Sequence, residues 1–204
     1  GWRLSALTAS LTSFIVLVGL WPKAMVTLYL CGISVLIACL IGVPIGILAA
    51  RNERVHRVVS VVIDTLQTLP SFVYLMPVVM LFRVGDFAAM LAVIAYAITP
   101  IIRYTDHGIR QVKPDLVEAA LQTGCTRGQL LRKVQLPLAL PQIMLGVNQT
   151  IMMALSMLVI TALVGTRDLG QEVYIALTKA DTGRGLIAGV CVAFIAIIAD
   201  RMIN

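Results

Sequence analysis

The stretch EAALQTGCTRGQLLRKVQLPLALP, from Glu118 to Pro141, differs from everything around it. It is polar and basic, contains Gly124 and Gly128, and ends with two prolines, whereas long apolar runs fill the rest of the chain. A segment of this kind between apolar runs must leave the apolar part of the fold. The surrounding sequence decides whether it is a simple return loop or a surface built to bind a partner.

The composition places the chain in a lipid bilayer. Of its 204 residues, 59% are hydrophobic and 13% charged, and the mean hydropathy is +0.95, whereas about a quarter of the residues of a soluble domain are charged. Because a spanning helix needs about 20 apolar residues, we predict an all-α polytopic membrane protein with about six transmembrane helices. Strands are excluded, since unclosed strands leave backbone groups unpaired in hydrocarbon. The predicted spans are 4–20, 25–50, 58–82, 87–104, 138–163 and 185–202.

The net charge of +6 is a topology signal and does not indicate a nucleic-acid partner. Lys and Arg cluster in two short connections, and short connections rich in these residues stay in the cytoplasm. We therefore expect the connections 51–57 and 105–136 to lie inside the cell. The clustered residues are Arg51, Arg54, Arg57, Arg110, Lys113, Arg127, Arg132 and Lys133.

No pattern in the sequence indicates catalysis, a metal or a bound nucleotide. His56 and His107 form no ligand motif, and the four cysteines lack metal-like spacing and are expected to be packing residues. No G-x-x-x-x-G-K-[ST] phosphate loop is present, so any ATP hydrolysis would be carried out by another chain. We predict no enzyme activity, no metal and no cofactor on this chain.

The chain is expected to form one transmembrane domain over 1–204, with a peripheral N-terminal span at 1–20 and a core at 21–204. It begins at Gly1 without a methionine and ends at Asn204 within a helical pattern, so we expect a fragment of a longer polypeptide. The first span has no clear cleavage site, and we interpret it as a retained helix and not as a signal peptide.

Small residues recur every four positions along the second predicted span, at Ala38, Gly42, Gly46 and Ala50. Such a stripe allows another helix to approach closely. Packing within the chain is the simpler interpretation, and a subunit interface is the alternative.

Polar residues inside two predicted spans are candidates for a translocation path, because polar groups in hydrocarbon are costly unless they are paired or hydrated. Hydrogen bonding between helices is the alternative in both spans. Asp64, near a helix end, is expected to reach the interface or to pair with an arginine such as Arg57. The path candidates are Gln67, Thr68, Ser71, Phe72, Tyr74, Asn148, Gln149, Met152 and Ser156.

The polar stretch GTRDLGQEVYIALTKADTGRG, residues 165–185, cannot span the membrane. It is expected to hold a short helix near Gln171 to Lys179, at the outer surface, where a soluble partner would dock.

Within the opening stretch, Asp115 is expected to cap a helix, with Glu118 completing a capping box and Pro114 just before it. Gly124 is expected to end that helix. Thr126 and Gln129 repeat the capping-box pattern for a second short helix ending near Gln135, before Pro137 opens the next span.

These residues resemble a known family signature: EAA, three residues, Gly, nine residues, an aliphatic residue, one residue, then LP. This is the cytoplasmic motif of binding-protein-dependent ABC importer permeases, here with valine where isoleucine is more usual. The matching positions are Glu118, Ala119, Ala120, Gly124, Val134, Leu136 and Pro137. The resemblance implies that these seven residues couple the chain to an ATPase, with Glu118 in contact with that partner and Gly124 forming the bend.

The resemblance is closest to permeases of glycine betaine, proline betaine and choline importers of the ProW type. The runs DTLQTLPSFVYLMPVVMLF, GIRQVKPDLVEAA, KVQLPLALPQIMLGVNQTIMMALSM and DLGQEV carry it, and it covers the chain from about Trp21. It implies a type I ABC importer permease fold with five core helices and one extra N-terminal helix, in a bacterial cytoplasmic (inner) membrane. The region 115–135 would be the coupling region.

The implied partners are an ABC ATPase subunit dimer that holds ATP and Mg, an extracytoplasmic substrate-binding protein and a second permease copy in a homodimer, all in membrane lipid. Two alternatives stay open. One keeps the importer class but carries histidine or another amino-acid-derived solute. The other is an ion-coupled secondary transporter, which predicts an internal repeat and mid-membrane carboxylates that we do not find.

Overall fold

The computed structural model describes residues 2–203 and is all-α over that range, as predicted. Ten α-helices follow one another, with a π-helical turn at Leu131–Gln135 and a 3-10 turn at Ala162–Val164. The helices are α1 (Trp2–Leu17), α2 (Trp21–Arg51), α3 (Glu53–Thr68), α4 (Ser71–Phe82), α5 (Asp86–Arg110), α6 (Pro114–Gln122), α7 (Arg127–Leu130), α8 (Leu136–Thr161), α9 (Leu169–Thr178) and α10 (Thr182–Ile203).

Four helical stretches in the described range are long and apolar enough to cross a membrane, and α3 with α4 makes a fifth if that bent pair is one span. The four are Trp21–Arg51, Asp86–Arg110, Arg127–Val164 and Thr182–Ile203. The apolar part of α1, Ser5–Leu17, is shorter than these, although a span was expected at 4–20. Its buried Ile15 and the edge-on contact of Phe14 with Phe194, 5.3 Å between ring centroids, attach α1 to the bundle.

The span expected at 58–82 is instead two helices that meet at 94°. Pro70 lacks a backbone N–H and forces the preceding residue out of the helical region, and Leu69 is accordingly extended (φ −73°, ψ 134°). The hydroxyl of Tyr74 donates to the carbonyl oxygen of Leu66, beside the break. This bond pairs a carbonyl at the place where the helix is interrupted.

Helix α5 forms the centre of the bundle, packed between α2 and α8. A Cβ added to Gly46 of α2 would lie 2.6 Å from the Cβ of Thr105 and 2.8 Å from the carbonyl oxygen of Ile102. On the other side, a Cβ on Gly146 of α8 would lie 2.7 Å from the Cβ of Tyr104. The small-residue stripe of α2 therefore packs within the chain, which confirms the simpler of its two interpretations.

The two ends of the bundle are named from the charge pattern. The inner end consists of the C-terminal end of α2, which is Arg51, the C-terminal end of α5, and helix α6. The outer end carries the start of α2 and helix α9. Because α2 has 31 residues, the two ends are about 45 Å apart at 1.5 Å per residue.

We predict that Gly46→Ala destabilises the bundle, whereas Gly32→Ala on the same helix does not. The new methyl at position 46 would press on the backbone of α5, and overpacking of this kind costs about 1–3 kcal/mol. Nothing lies within 4 Å of a Cβ at Gly32, and both substitutions bring the same gain in helix propensity. Thermal unfolding of the purified chain in detergent micelles measures the difference. Equal unfolding midpoints for the two variants would contradict the close-packing account.

Candidate functional site

The segment singled out in the sequence forms an exposed projection at the inner end. None of the residues of α6 is buried, and Glu118 and Ala119 are exposed while Ala120 is half-buried. The apolar side chains of Leu116 and Leu121 are 44% and 46% exposed. Helix α6 therefore offers a small mixed surface with two exposed carboxylates, those of Asp115 and Glu118, to whatever lies outside the bundle.

The prediction that Asp115 caps α6 is wrong. The helix begins two residues earlier, at Pro114, with Lys113 at the N-cap and no side-chain hydrogen bond at the cap. Pro114 accounts for the shift, because its fixed φ suits the first helical position and its missing N–H costs nothing there. Asp115 and Glu118 lie inside the helix, and Asp115 lies in the first turn, where a negative charge complements the helix dipole.

Gly124 ends α6, as predicted, and makes the bend. Its φ of 85° lies in the left-handed region that favours glycine. The amide of Gly124 donates to the carbonyl of Leu121 at 3.0 Å, and the amide of Cys125 donates to that of Ala120 at 3.3 Å. This pair of bonds is a Schellman motif, which fixes the direction in which the chain leaves α6.

The capping box predicted at Thr126 and Gln129 is confirmed. The hydroxyl of Thr126 accepts from the Gln129 amide at 3.3 Å, and the Gln129 side-chain oxygen accepts from the Thr126 amide at 2.9 Å. The helix that starts here does not stop near Gln135, however. It continues through the π turn into α8, so that one helical stretch runs from Arg127 to Val164.

Pro137 accounts for the π turn. It has no N–H to donate, and its ring would collide with the carbonyl four residues earlier, that of Lys133 inside the turn. One wider turn relieves this: the Leu136 amide reaches back five residues to the Leu131 carbonyl. Pro137 therefore lies within a helix that has already begun, and Val134 and Leu136 are half-buried next to it. The projection is joined to the bundle by continuous helix on this side.

Arg110 holds the other side of the projection. Its guanidinium donates three hydrogen bonds of 2.9 Å, to Asp106 Oδ1 on α5, to Glu53 Oε2 on α3 and to the carbonyl of Ala49 on α2. The end of α5 is thus tied to the junction of α2 and α3. Helix α6 follows the end of α5 after three connecting residues. The sequence reasoning treated Arg110 only as part of the basic cluster, and its position four residues after Asp106 was the available signal.

Two further ion pairs cross between α3 and α5 near this end. His56 Nδ1 lies 2.8 Å from Asp106 Oδ2, which makes His56 a packing partner in the described structure. Asp64 pairs with an arginine, as expected, but its partner is Arg103 of α5 and not Arg57. Arg57 lies only one turn into α3, whereas Arg103 faces Asp64 from the neighbouring helix. No group of His, Cys, Asp and Glu suited to a metal occurs among residues 2–203.

The predicted path residues of α3 and α4 lie around the bend at Pro70. Gln67 donates to Thr99 on α5 at 3.5 Å, and Thr68 donates to the carbonyl of Thr65. Ser71 is half-buried and Phe72 is 54% exposed. Tyr74 is buried and packs edge-on against Tyr96, 5.6 Å between ring centroids. Tyr74 therefore supports the bend, and its role in a path stays a prediction.

The predicted path residues of α8 follow one side of that helix. Asn148 donates to Asp200 of α10 at 2.6 Å, so its described partner is on α10 and not at the bend. Ser156 is exposed and donates to the carbonyl of Met152, while Gln149 is exposed and Met152 half-buried. The Asn148 bond matches the interhelical alternative, and the path role of this group stays a prediction.

The outer end is held by a buried carboxylate. Glu172 of α9 is 4% exposed, pairs with Lys23 of α2 and accepts from Arg184 Nε of α10 at 2.6 Å. Asp168, fully buried, accepts the Gln171 amide at the start of α9, and burial raises the pKa of its carboxyl. The predicted helix is therefore present, but it is packed into the bundle and does not simply lie on its surface. The sequence reasoning missed Glu172, although a lone acid in an apolar helical stretch was the signal.

Comparison with known proteins agrees with this geometry. Residues 42–204 match the family model described as binding-protein-dependent transport system inner membrane component. The chain is 47% identical over 184 residues to the glycine betaine transport system permease protein OpuAB of Bacillus subtilis, covering 90% of this chain and 65% of that one. It is 44% identical over 206 residues to the glycine betaine/proline betaine permease ProW of Escherichia coli, covering 98% and 58%.

A third relative is named for a different cargo. The chain is 42% identical over 203 residues to the trimethylamine N-oxide transport system permease protein TmoV of Ruegeria pomeroyi, covering 100% of this chain and 31% of that one. The chain thus spans about a third to two thirds of the length of these relatives.

Among solved structures, an inward-facing MetNI methionine ABC transporter matches with a TM-score of 0.81 at 23% identity, over 90% of this chain and 94% of that one. An amino acid ABC transporter solved with histidines matches with a TM-score of 0.70 at 23% identity, over 93% of both chains. At these identities the likeness shows the fold alone, that of a type I ABC importer permease.

We predict that Thr126→Ala loosens the start of the long helix. Loss of an N-cap hydroxyl costs about 1 kcal/mol, which corresponds to a roughly fivefold rise in local opening. Hydrogen–deuterium exchange should therefore be about five times faster at Gln129. Thr123→Ala is the matched control, because its hydroxyl donates to the Ala120 carbonyl and also contacts Cys125 Sγ, neither of which belongs to the capping box. Unchanged exchange at Gln129 in Thr126→Ala would show that the capping box does not hold this turn.

Proposed function

The chain belongs to the family of binding-protein-dependent transport system inner membrane components, and we propose that it is the membrane-spanning subunit of an ATP-driven importer of methylated-amine solutes. The proposed cargo is glycine betaine, proline betaine or choline, the class predicted from the sequence. The permease would receive work from a separate ATPase dimer and solute from an extracytoplasmic binding protein, and would act as a homodimer.

The observation that carries the proposal is the exposed α6 projection, held at both of its ends. Through Arg110 it is tied to the α2–α3 junction, and through the helix from Arg127 to Val164 it continues into α8. A surface that must transmit mechanical work needs such rigid connections. A simple return loop would need neither the Schellman motif nor the capping box. ATP and Mg would be held by the partner, and Glu118 would meet that partner directly.

Relatives support the cargo class. The permeases named for glycine betaine, proline betaine and trimethylamine N-oxide each match most or all of this chain. These three solutes share a methylated nitrogen carrying positive charge and an anionic oxygen close to it. Trimethylamine N-oxide is therefore the second candidate cargo. The likeness to an amino acid transporter concerns the fold, so it gives no support to histidine.

ATP hydrolysis by the reconstituted complex tests the proposal. The chain is assembled in lipid with the ATPase and binding protein encoded beside it, and glycine betaine, proline betaine, choline, trimethylamine N-oxide and histidine are added singly. We expect one or more of the methylated amines, but not histidine, to raise the hydrolysis rate only when the binding protein is present. Failure of any ATPase to assemble with the chain would contradict the importer function, and stimulation by histidine alone would contradict the cargo.

Glu118→Arg should abolish solute-stimulated hydrolysis and uptake while the protein still reaches the membrane, because the reversed charge would meet the ATPase surface. Arg57→Glu is the control, since it reverses an exposed charge at the inner end outside the projection and should leave hydrolysis unchanged. Normal uptake by Glu118→Arg at normal protein levels would exclude the coupling role of α6.

A further inference from the structure

A cavity of about 570 Å³ lies between α3, α5 and α8 toward the inner end. Its volume falls within the range that small-molecule sites occupy. The lining carries both acidic and basic side chains. The lining residues that bear on ligand binding are His56, Asp64, Arg103, Tyr104, Asp106 and Gln142. Both signs of charge occur in a space large enough for a small solute.

Two ion pairs in this cavity differ in how firmly they are held. Asp106 is 9% exposed and is bonded to both His56 and Arg110, which makes it part of the inner-end framework. The side chains of Asp64 and Arg103 are 67% and 47% exposed. Because the protein leaves much of both side chains uncovered, a solute in the cavity can reach either charge. Asp64 and Arg103 are therefore able to exchange partners.

The Asp64–Arg103 pair is continuous with the predicted path. Asp64 and Gln67 are three residues apart on α3, and Thr99 and Arg103 are four apart on α5, so each pair shares a helix face. The Gln67–Thr99 hydrogen bond and the Asp64–Arg103 ion pair both join α3 to α5. A polar strip thus runs from the bend at Pro70 along the α3–α5 seam to the cavity.

We propose that this cavity binds a zwitterionic methylated amine at the inner end of the path, by replacing the Asp64–Arg103 pair. This inference rests on the proposed function. The anionic oxygen of the solute accepts from the Arg103 guanidinium, a charge-assisted bond. The methylated nitrogen faces the Asp64 carboxylate and the ring of Tyr104, since aromatic faces attract such cations.

The proposed exchange predicts a selectivity. A zwitterion supplies a partner to each member of the opened pair, so no charge is left unpaired. Choline supplies only the cation and leaves Arg103 without an anionic partner. A zwitterionic phospholipid headgroup has the same two charges and is a second source of this chemistry, so the test must separate it from the free solute.

Saturation-transfer NMR on the purified full chain measures this weak binding directly through the N-methyl protons of glycine betaine and choline. The samples are nanodiscs of phosphatidylglycerol and nanodiscs of phosphatidylcholine. We expect glycine betaine to bind to the chain in phosphatidylglycerol nanodiscs. Its binding should be weaker in phosphatidylcholine nanodiscs only if the lipid headgroup competes for the cavity. Absence of glycine betaine binding in phosphatidylglycerol would overturn the solute site, even if phosphatidylcholine occupied the cavity.

Single substitutions assign the two charges. Arg103→Gln should weaken glycine betaine binding about tenfold or more, the usual size of one lost bond to a charged group, and should leave choline binding unchanged. Asp64→Asn should weaken the binding of glycine betaine and the binding of choline. Arg57→Gln, an exposed arginine on α3 outside the cavity lining, is the matched control. Unchanged glycine betaine binding by Arg103→Gln would refute the proposal.

A second measurement does not depend on the charged residues. Ser60 lines the cavity, and in a Cys125→Ser background Ser60→Cys should react with a small maleimide more slowly when glycine betaine is present. Unaltered labelling would count against the site. A different result is that glycine betaine stimulates ATP hydrolysis by the complete transporter while Arg103→Gln keeps the wild-type solute preference. That result would support the importer function and refute the cavity site. If no solute stimulates the complete transporter, the proposed function itself fails.

Discussion

The close approach of α5 to both of its neighbours is the constraint on which the molecule depends. Gly46 on one side and Gly146 on the other leave no room for a side chain. Van der Waals packing of this kind is the main attraction between helices in lipid, where burial of apolar surface gives no advantage. With α5 fixed, its last turn brings Arg110 to the α2–α3 junction and its preceding turns form one wall of the cavity.

A network of polar interactions lies at each end of this packed centre. At the inner end, Arg110 joins three helices, and at the outer end Glu172 joins α2, α9 and α10. Helix α2 runs between the two networks. On the α8 side, a displacement of α6 therefore reaches the centre through the Gly124 bend, which the Schellman motif and the capping box hold, and then through the continuous helix from Arg127 to Val164. This arrangement suits a protein that converts a push at one face into a change of access at the other.

The sequence predicted what local rules determine. The glycine bend at Gly124, the capping box at Thr126 and the close-packing stripe of α2 each follow from the chemistry of a few adjacent residues, and each was confirmed. Membership of the importer permease family also followed from a local signature. One failure is local: the cap expected at Asp115 lies at Lys113, because Pro114 takes the first helical position. The other failures involve longer range. The partner of Asp64 and the burial of Glu172 depend on which helices become neighbours, and the π turn depends on how the clash of Pro137 is relieved within one continuous helix.

Cross-linking to the proposed ATPase partner tests most directly whether the chain is driven through α6. Ala119→Cys in a Cys125→Ser background places a single exposed thiol on the projection, and Leu177→Cys, at a position that is 78% exposed on α9, places one at the outer end. The account predicts that a short thiol cross-linker joins the ATPase to position 119 in the assembled complex and not to position 177. Cross-linking at position 177 but not at 119 would contradict it.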